Sequence, residues 1–284
     1  MLSLHTNNAA LSAQNSINRT QGSLSTSMTR LSTGYRINSS MDDAAGLQIA
    51  TRLKAQTSGM AVAMRNTQNS TSMLQTAEGA LDEVSNMVVR MKDLATQAAD
   101  ASSTTADKTA MQSEYDALGK ELSNVMSNTT FGGAKLLIGG TIASSMTFQI
   151  GSSTSEKMTV NLATDVTALD TAIGATSGTY TVPGTPGTEL TASANATIDL
   201  LSTALASIGT VRSALGASAN RLEHVYNNLS NISTNSKAAT GRIMDVDFAS
   251  ESSKMTTSQM LLQAGTAMLK QSNSMSSMVM SLLQ

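Results

Sequence analysis

Apolar residues recur every seven positions along most of this chain, and the beat is plainest at its two ends. Toward the C-terminus, Leu261, Met268, Met275 and Leu282 fall seven apart. Gly265, Ser272 and Val279 hold the complementary heptad position, and Leu262 and Leu269 widen the stripe. Near the start, Ile17, Leu24 and Leu31 repeat at seven, with Met28 and Tyr35 between them and Leu4 and Leu11 upstream. A stripe repeated every 3.5 residues lets one helix lie along another. An apolar chain end with few charges also needs a cover. The pattern predicts that the two terminal helices pair with each other. It further predicts that Leu262 and Leu269 stay exposed beside a single two-helix seam and are covered by other copies of the chain.

Between the ends the same period predicts three more helices. The first runs from 44 to about 100, with Leu53, Met60, Thr67, Leu74, Leu81, Val88 and Ala95 in one register. Ala63, Ser70, Ala77, Val84, Met91 and Ala98 fill the other. At ~1.5 Å per residue such a helix extends roughly 85 Å, and Gly59 and Gly79 are its weak points. The next, 104–128, carries Met111, Leu118 and Val125 in one register and Tyr115 and Leu122 in the other. The last, 191–240, sets Leu201, Ile208, Leu215, Leu222 and Leu229 seven apart, with Ile198, Leu205, Ala219 and Tyr226 between. Breaks fall at 36–46 and 242–247. In the first, Asn38 or Ser39 is the expected helix cap, with Asp42 and Asp43 in the first helical turn, where carboxylates favour the positive end of the dipole.

The period changes to two over 136–162. There Ile142, Met146, Phe148 and Ile150 precede Met158, Val160 and Leu162 around a turn at 151–156, which predicts a β-hairpin. Residues 163–190 are rich in Thr, Gly and Ser and hold both prolines, and they read as an exposed loop. The expected fold is therefore mainly α: an elongated antiparallel helical bundle or coiled coil with a small β-hairpin insert and paired terminal helices. Its parts are 1–44 and 245–284 (terminal domain), 45–135 and 191–244 (bundle), and 136–190 (hairpin and loop).

Composition narrows the function. Aromatic residues are 2% of the chain against 19 Met, which suits long adaptable helix contacts better than a large globular core. Net charge is −2 with no basic tract, so nucleic acid and anionic lipid are poor partners. No unbroken apolar run is long enough to span a bilayer, and the N-terminal residues show neither the basic nor the apolar part of a cleavable leader. Absence of Cys removes disulfides and thiol chemistry. Asp42 and Asp43 are adjacent, so on a helix they point about 100° apart and do not converge as an acid–base pair. Glu223-His224 lacks the second histidine of a His-Glu-x-x-His zinc site, and no Gly-x-Ser-x-Gly elbow or phosphate-binding glycine loop occurs. Met255, Met260, Met268, Met275 and Met278 read as packing side chains, not as a metal tract. The expectation is a protein without enzymatic activity and without cofactor or metal.

Several stretches together resemble bacterial flagellin. Leu31-Ser32-Thr33-Gly34-Tyr35-Arg36-Ile37-Asn38-Ser39-Ser40-Met41-Asp42-Asp43-Ala44-Ala45-Gly46 is similar to the N-terminal signature of that family. Gln259-Met260-Leu261-Leu262-Gln263-Ala264-Gly265-Thr266 and the closing Ser281-Leu282-Leu283-Gln284 are similar to its C-terminal one. Thr76-Ala77-Glu78-Gly79-Ala80-Leu81 and Val211-Arg212-Ser213-Ala214-Leu215-Gly216-Ala217 fit between them, in order. Met41 stands where many relatives have Lys.

The resemblance implies a structural subunit of the extracellular flagellar filament, exported without a cleaved signal peptide. The chain itself would be its main partner, joined by an export chaperone and by cap and junction proteins. It also implies a bundle patch read by a vertebrate Toll-like receptor, here Arg90, Leu94, Gln97, Glu114 and Leu201, with Val89 and Asp93 departing from the common residues. The i, i+4, i+7 spacing of Arg90, Leu94 and Gln97 places these three facing outward. The expected packing residues of the inner core are Leu4, Leu11, Ile17, Leu24, Leu31, Leu261, Leu262, Met268, Leu269, Met275 and Leu282. Those of the bundle core are Leu74, Leu81, Val88, Met91, Leu118, Ile208, Leu215, Leu222 and Leu229. The alternatives are a hook–filament junction protein and a secreted coiled-coil adaptor or translocator.

Overall fold

A computed structural model describes residues 7–182 and 185–282, with side chains to 275. Leu4 and the side chain of Leu282 lie outside this range. Over the described residues the chain is mainly α with two small antiparallel strand pairs. Its helices are α1 (Asn8–Thr33), α2 (Ala44–Ala99), α3 (Thr105–Asn128), α4 (Ala163–Thr176), α5 (Gly178–Thr181), α6 (Glu189–Ala192), α7 (Ala194–Met244) and α8 (Phe248–Leu282). Its strands are β1 (Thr130–Phe131), β2 (Ala134–Lys135), β3 (Ser145–Gln149) and β4 (Lys157–Asn161). They group into two compact units, a terminal one (Met1–Thr57 with Thr234–Gln284) and a central one (Ser58–Ser233).

The core of the central unit follows the heptads. Leu74, Leu81, Val88 and Met91 of α2 are buried with Leu201, Ile208, Leu215 and Leu222 of α7, and Tyr115, Leu122 and Met126 of α3 join them. Leu118 is only partly buried at the edge of this cluster, while Leu229 belongs to a second cluster with Met60 and Ala63. α2 is continuous through Gly59 and Gly79. Gly59 has a reason to be small: a Cβ there would come within 2.7 Å of Ser152 Cβ in the β3–β4 turn. Thr104 caps α3 in a reciprocal box with Asp107. α7 holds an 18-residue stretch of mean hydropathy 1.2, apolar enough by composition to cross a bilayer, but Ile208, Val211 and Leu215 are core residues here.

The hairpin forms as β3 paired with β4, Met146 opposite Val160 and Phe148 opposite Met158. Met146, Met158 and Val160 are buried. The stretch after it departs from the expected exposed loop. Residues 163–176 form α4, with Val166, Leu169 and Ile173 buried at i, i+3 and i+7. The Thr and Gly content hid this short apolar face. The segment after α4 is tied to α3 by side-chain hydrogen bonds. Tyr115 Oη donates to the Thr176 carbonyl at 2.6 Å, and Gln112 Nε2 donates to Glu189 at 2.7 Å. Gln112 Oε1 accepts from the Leu190 N–H at 2.7 Å. Burial pushes the Tyr115 hydroxyl well above the usual phenol range, so it remains a donor.

Candidate functional site

The terminal unit is built on α1 and α8, which pack antiparallel. Asn7 Nδ2 donates to the Ser272 carbonyl at 3.2 Å at one end, and Ser27 Oγ donates to Glu251 at 2.7 Å toward the other. α1 starts where the Asn7 side chain accepts from the Ala10 N–H, and it ends at Gly34, whose φ of 74° is the left-handed cap that glycine adopts without strain. Arg36 N–H then donates to Met244 and Val246 N–H to Gly34, forming the Tyr35–Asp245 bridge between the two breaks. Ile37 is buried in the first break, 2% exposed.

The aspartates of that break differ from expectation. Neither sits inside the first turn of α2, and neither Asn38 nor Ser39 caps it. Asp43 is the cap, accepting from the Gly46 N–H at 2.8 Å. Asp42 folds back to accept from the Asn38 and Ser39 N–H groups at 3.0 and 2.9 Å. Those two hydrogen bonds, with Arg30 nearby, hold its carboxyl below the usual range.

The seam between α1 and α8 is a heptad seam, but in a different register from the expected one on α8. Ile17, Leu24 and Leu31 of α1 are half-buried, as are Met255, Leu262 and Leu269 of α8. The other seam position on α8 is Glu251, Ser258, Gly265 and Ser272, each seven apart. A Cβ on Gly265 would meet Ile17 Cγ1 at 2.9 Å, so the glycine is what lets α1 approach. Leu262 and Leu269, expected beside the seam, are its centre. Leu261, Met268 and Met275, expected to form it, are 57%, 69% and 52% exposed. Leu11 and Met28 of α1 are also exposed, and Tyr35 is exposed at the break. The reason is angular. Helical neighbours differ by about 100°, so choosing 262 instead of 261 as the seam position turns the whole stripe outward.

One charged residue lies inside this seam. Glu251 is 4% exposed. Besides Ser27 it faces Lys254 Nζ at 3.5 Å and Arg30 Nη1 at 3.8 Å, and Arg30 Nη2 reaches Asp42 at 3.8 Å. The Ser27 hydrogen bond first, then the Lys254 and Arg30 cations, hold the Glu251 carboxyl below its ordinary range against the cost of burial. The sequence reading missed Ser27, Arg30 and Glu251. A signal was present: stepping back by sevens from Ser272 through Gly265 and Ser258 arrives at Glu251.

The residues of the expected receptor patch lie in the central unit and divide. Arg90 and Glu114 are exposed and paired, with Arg90 Nη2 2.6 Å from Glu114 Oε1, and Gln97 is exposed. Leu94 and Leu201 are buried at 3% and 0%, against the expectation that Leu94 faces outward. Leu94 lies three residues after Met91 and so falls on the core face of α2. Among the described residues, no three His, Cys, Asp or Glu side chains converge on a metal-sized site.

The apolar helix pair, its break and the heptad bundle match known proteins over nearly the whole chain. The profile of the bacterial flagellin N-terminal helical region matches residues 4–142, and that of the C-terminal helical region matches 198–283. Flagellin A of Vibrio anguillarum is 33% identical over 100% of both chains. A flagellin of Halalkalibacterium halodurans is 38% identical over 94% of each. A Vibrio parahaemolyticus structure described as a flagellar hook-associated protein shares the fold, with a TM-score of 0.56 over 72% of this chain and 100% of that one, at 18% identity. The chain therefore belongs to the bacterial flagellins, the structural proteins that self-assemble into the extracellular helical filament of the flagellum.

Proposed function

We propose that the α1–α8 pair is the device by which one subunit holds the next, and that it does so with the face turned away from its own seam. The observation that carries this is the outward stripe of Leu261, Met268 and Met275, together with Leu11 and Met28 of α1. The protomer's own fold leaves about half or more of each of these side chains in water. Covering what remains of each adds on the order of 1 kcal/mol, and in a filament the available cover is other copies of the same chain. The seam holds the two helices side by side, and the stripe supplies the adhesive surface. Nothing in this role needs catalysis, a cofactor or a metal.

Further partners belong to the same reading through the family: an export chaperone, cap and junction proteins, and export that retains the N-terminal segment. If a receptor reads the central unit, Arg90, Gln97 and Glu114 are the part of the patch open to it, and Arg90 must exchange its Glu114 partner to be read.

The test is seeded elongation of the full chain carrying Leu261→Glu with Met268→Glu, followed by electron microscopy and sedimentation. Both positions are exposed in the protomer, so circular dichroism is expected to match the unaltered chain while elongation stops. Elongation at the unaltered rate would show that this stripe is not the packing surface.

A further inference from the structure

The outward face of the terminal unit is chemically unlike the buried core in one respect: its sulfur is open to attack. Met28, Met260, Met268 and Met275 are 51%, 58%, 69% and 52% exposed. In the central unit Met60, Met87, Met91, Met126, Met146 and Met158 are buried, and Met64, Met73 and Met111 are half-buried. The seam methionine, Met255, is half-covered. The thioethers within reach of solvent thus include those on the face proposed to become dry in the filament.

We propose that Met268 and Met275, seconded by Met28 and Met260, are oxidant-modification sites that decide whether a free protomer can enter the filament. This rests on the packing role proposed above. The reagent class is a two-electron oxygen donor such as hydrogen peroxide. The sulfur donates an electron pair to one peroxide oxygen, the S–O bond forms as the O–O bond breaks, and the departing hydroxide takes the proton from the oxygen now on sulfur and leaves as water. Sulfur is oxidised by two electrons and the peroxide is reduced by two.

The product, a sulfoxide, is a strong hydrogen-bond acceptor in place of an apolar group. In the protomer it stays hydrated at these exposed positions, so the fold is unaffected. On the packing face it must lose its water, and a polar group buried without a partner opposes association. The same cover protects the sulfur once it is in place, so oxidation acts on the free protomer and spares the assembled one. Leu261, on the same stripe, has no such chemistry.

The experiment treats full-length monomer with hydrogen peroxide, locates sulfoxides by peptide mass spectrometry and measures seeded elongation. Met41, 95% exposed in the break, reports the rate of an unprotected thioether, and the buried methionines report the rate of a protected one. Sulfoxide is expected at Met28, Met260, Met268 and Met275 with unchanged circular dichroism. Elongation should slow about tenfold or more and recover after methionine sulfoxide reductase with a thiol reductant. A chain carrying M28L, M260L, M268L and M275L should elongate equally before and after peroxide. The sulfoxide-like pair M268Q/M275Q should elongate poorly without any oxidant.

Normal elongation of monomer fully oxidised at 268 and 275 overturns the proposal, as does equal inhibition of the four-leucine chain. If the Leu261→Glu/Met268→Glu chain also elongates normally, the packing reading has failed. If that chain is blocked while the oxidised one is not, only the present inference has.

Discussion

At the scale of single residues, the terminal unit turns on what occupies one heptad position of α8. Gly265 lets Ile17 approach, Ser272 bonds Asn7, and Glu251 places a carboxylate among Ser27, Arg30 and Lys254. A buried ion stabilises a seam only while its partners remain. Because the Glu251 carboxyl is held below its ordinary range when folded, its contribution is in full force above the unfolded carboxylate pKa. It is lost as pH falls through the depressed folded value. The helical signal of the α1–α8 pair is therefore expected to melt at lower temperature as pH drops below the usual glutamate range. Glu251→Gln keeps an oxygen for Ser27 but cannot ionise, so it should remove this residue's part of the pH dependence. Thermal melts across pH, followed by far-ultraviolet circular dichroism, test this, and identical pH slopes for both chains would remove Glu251 from the account. No charge pattern in the sequence announced the site, because whether a glutamate three residues into a helix is buried depends on which face its partner covers.

At the scale of elements, α3 does more than fill one side of the bundle. Its Gln112 and Tyr115 hold the backbone around α5 and α6, so that the described residues there, 176–182 and 185–192, are tied to the bundle instead of looping free. Tyr115→Phe removes the donor and leaves the Thr176 carbonyl buried without it. A loss of about 1–3 kcal/mol is expected, seen as an earlier midpoint in urea at unchanged slope; an unchanged midpoint would mean the tie contributes nothing. Asp116 accepts from Gly187 N–H and Thr179 Oγ1 at 3.2 Å each, so residues 112–116 of α3 tie down five positions, Thr176, Thr179, Gly187, Glu189 and Leu190. These ties join residues more than sixty positions apart, which local composition does not reveal. What local composition did reveal, a Thr- and Gly-rich stretch, pointed to a loop.

At the scale of the whole molecule, the two units differ in how completely they bury their apolar residues. The central unit has side chains with no exposure at all, among them Leu81, Val88, Met91, Leu122 and Leu201. In the α1–α8 pair the seam leucines and Ile17 are only half-covered. Local stability follows burial. Backbone amides of α1 and α8 in the monomer are expected to exchange with deuterium well before those of 74–95 and 201–222. Packing into filaments should slow exchange in the terminal helices most. Uniform exchange across both units, measured by mass spectrometry on monomer and filament, would contradict this ordering.

The heptad period, the long helices, the hairpin and the breaks were legible in the sequence, because each is a local or periodic property of the chain. So were the family motifs that identify a filament subunit. The heptad core residues of α2 and α7 were legible for the same reason, that a long unbroken repeat leaves one self-consistent face, though Leu94, off that repeat, was expected outward and is buried. On α8 the apolar positions are too many for that. Leu261 and Leu262 are adjacent, as are Met268 and Leu269, and two stripes one residue apart have the same period. Only the partner helix decides between them. It seats Ile17 against Gly265 and Ser27 against Glu251, and so draws Leu262 and Leu269 inward and leaves Leu261, Met268 and Met275 facing out. Periodicity determines that a helix has an apolar side; which of two neighbouring stripes meets the chain's own partner depends on steric fit and charge pairing between residues more than two hundred positions apart.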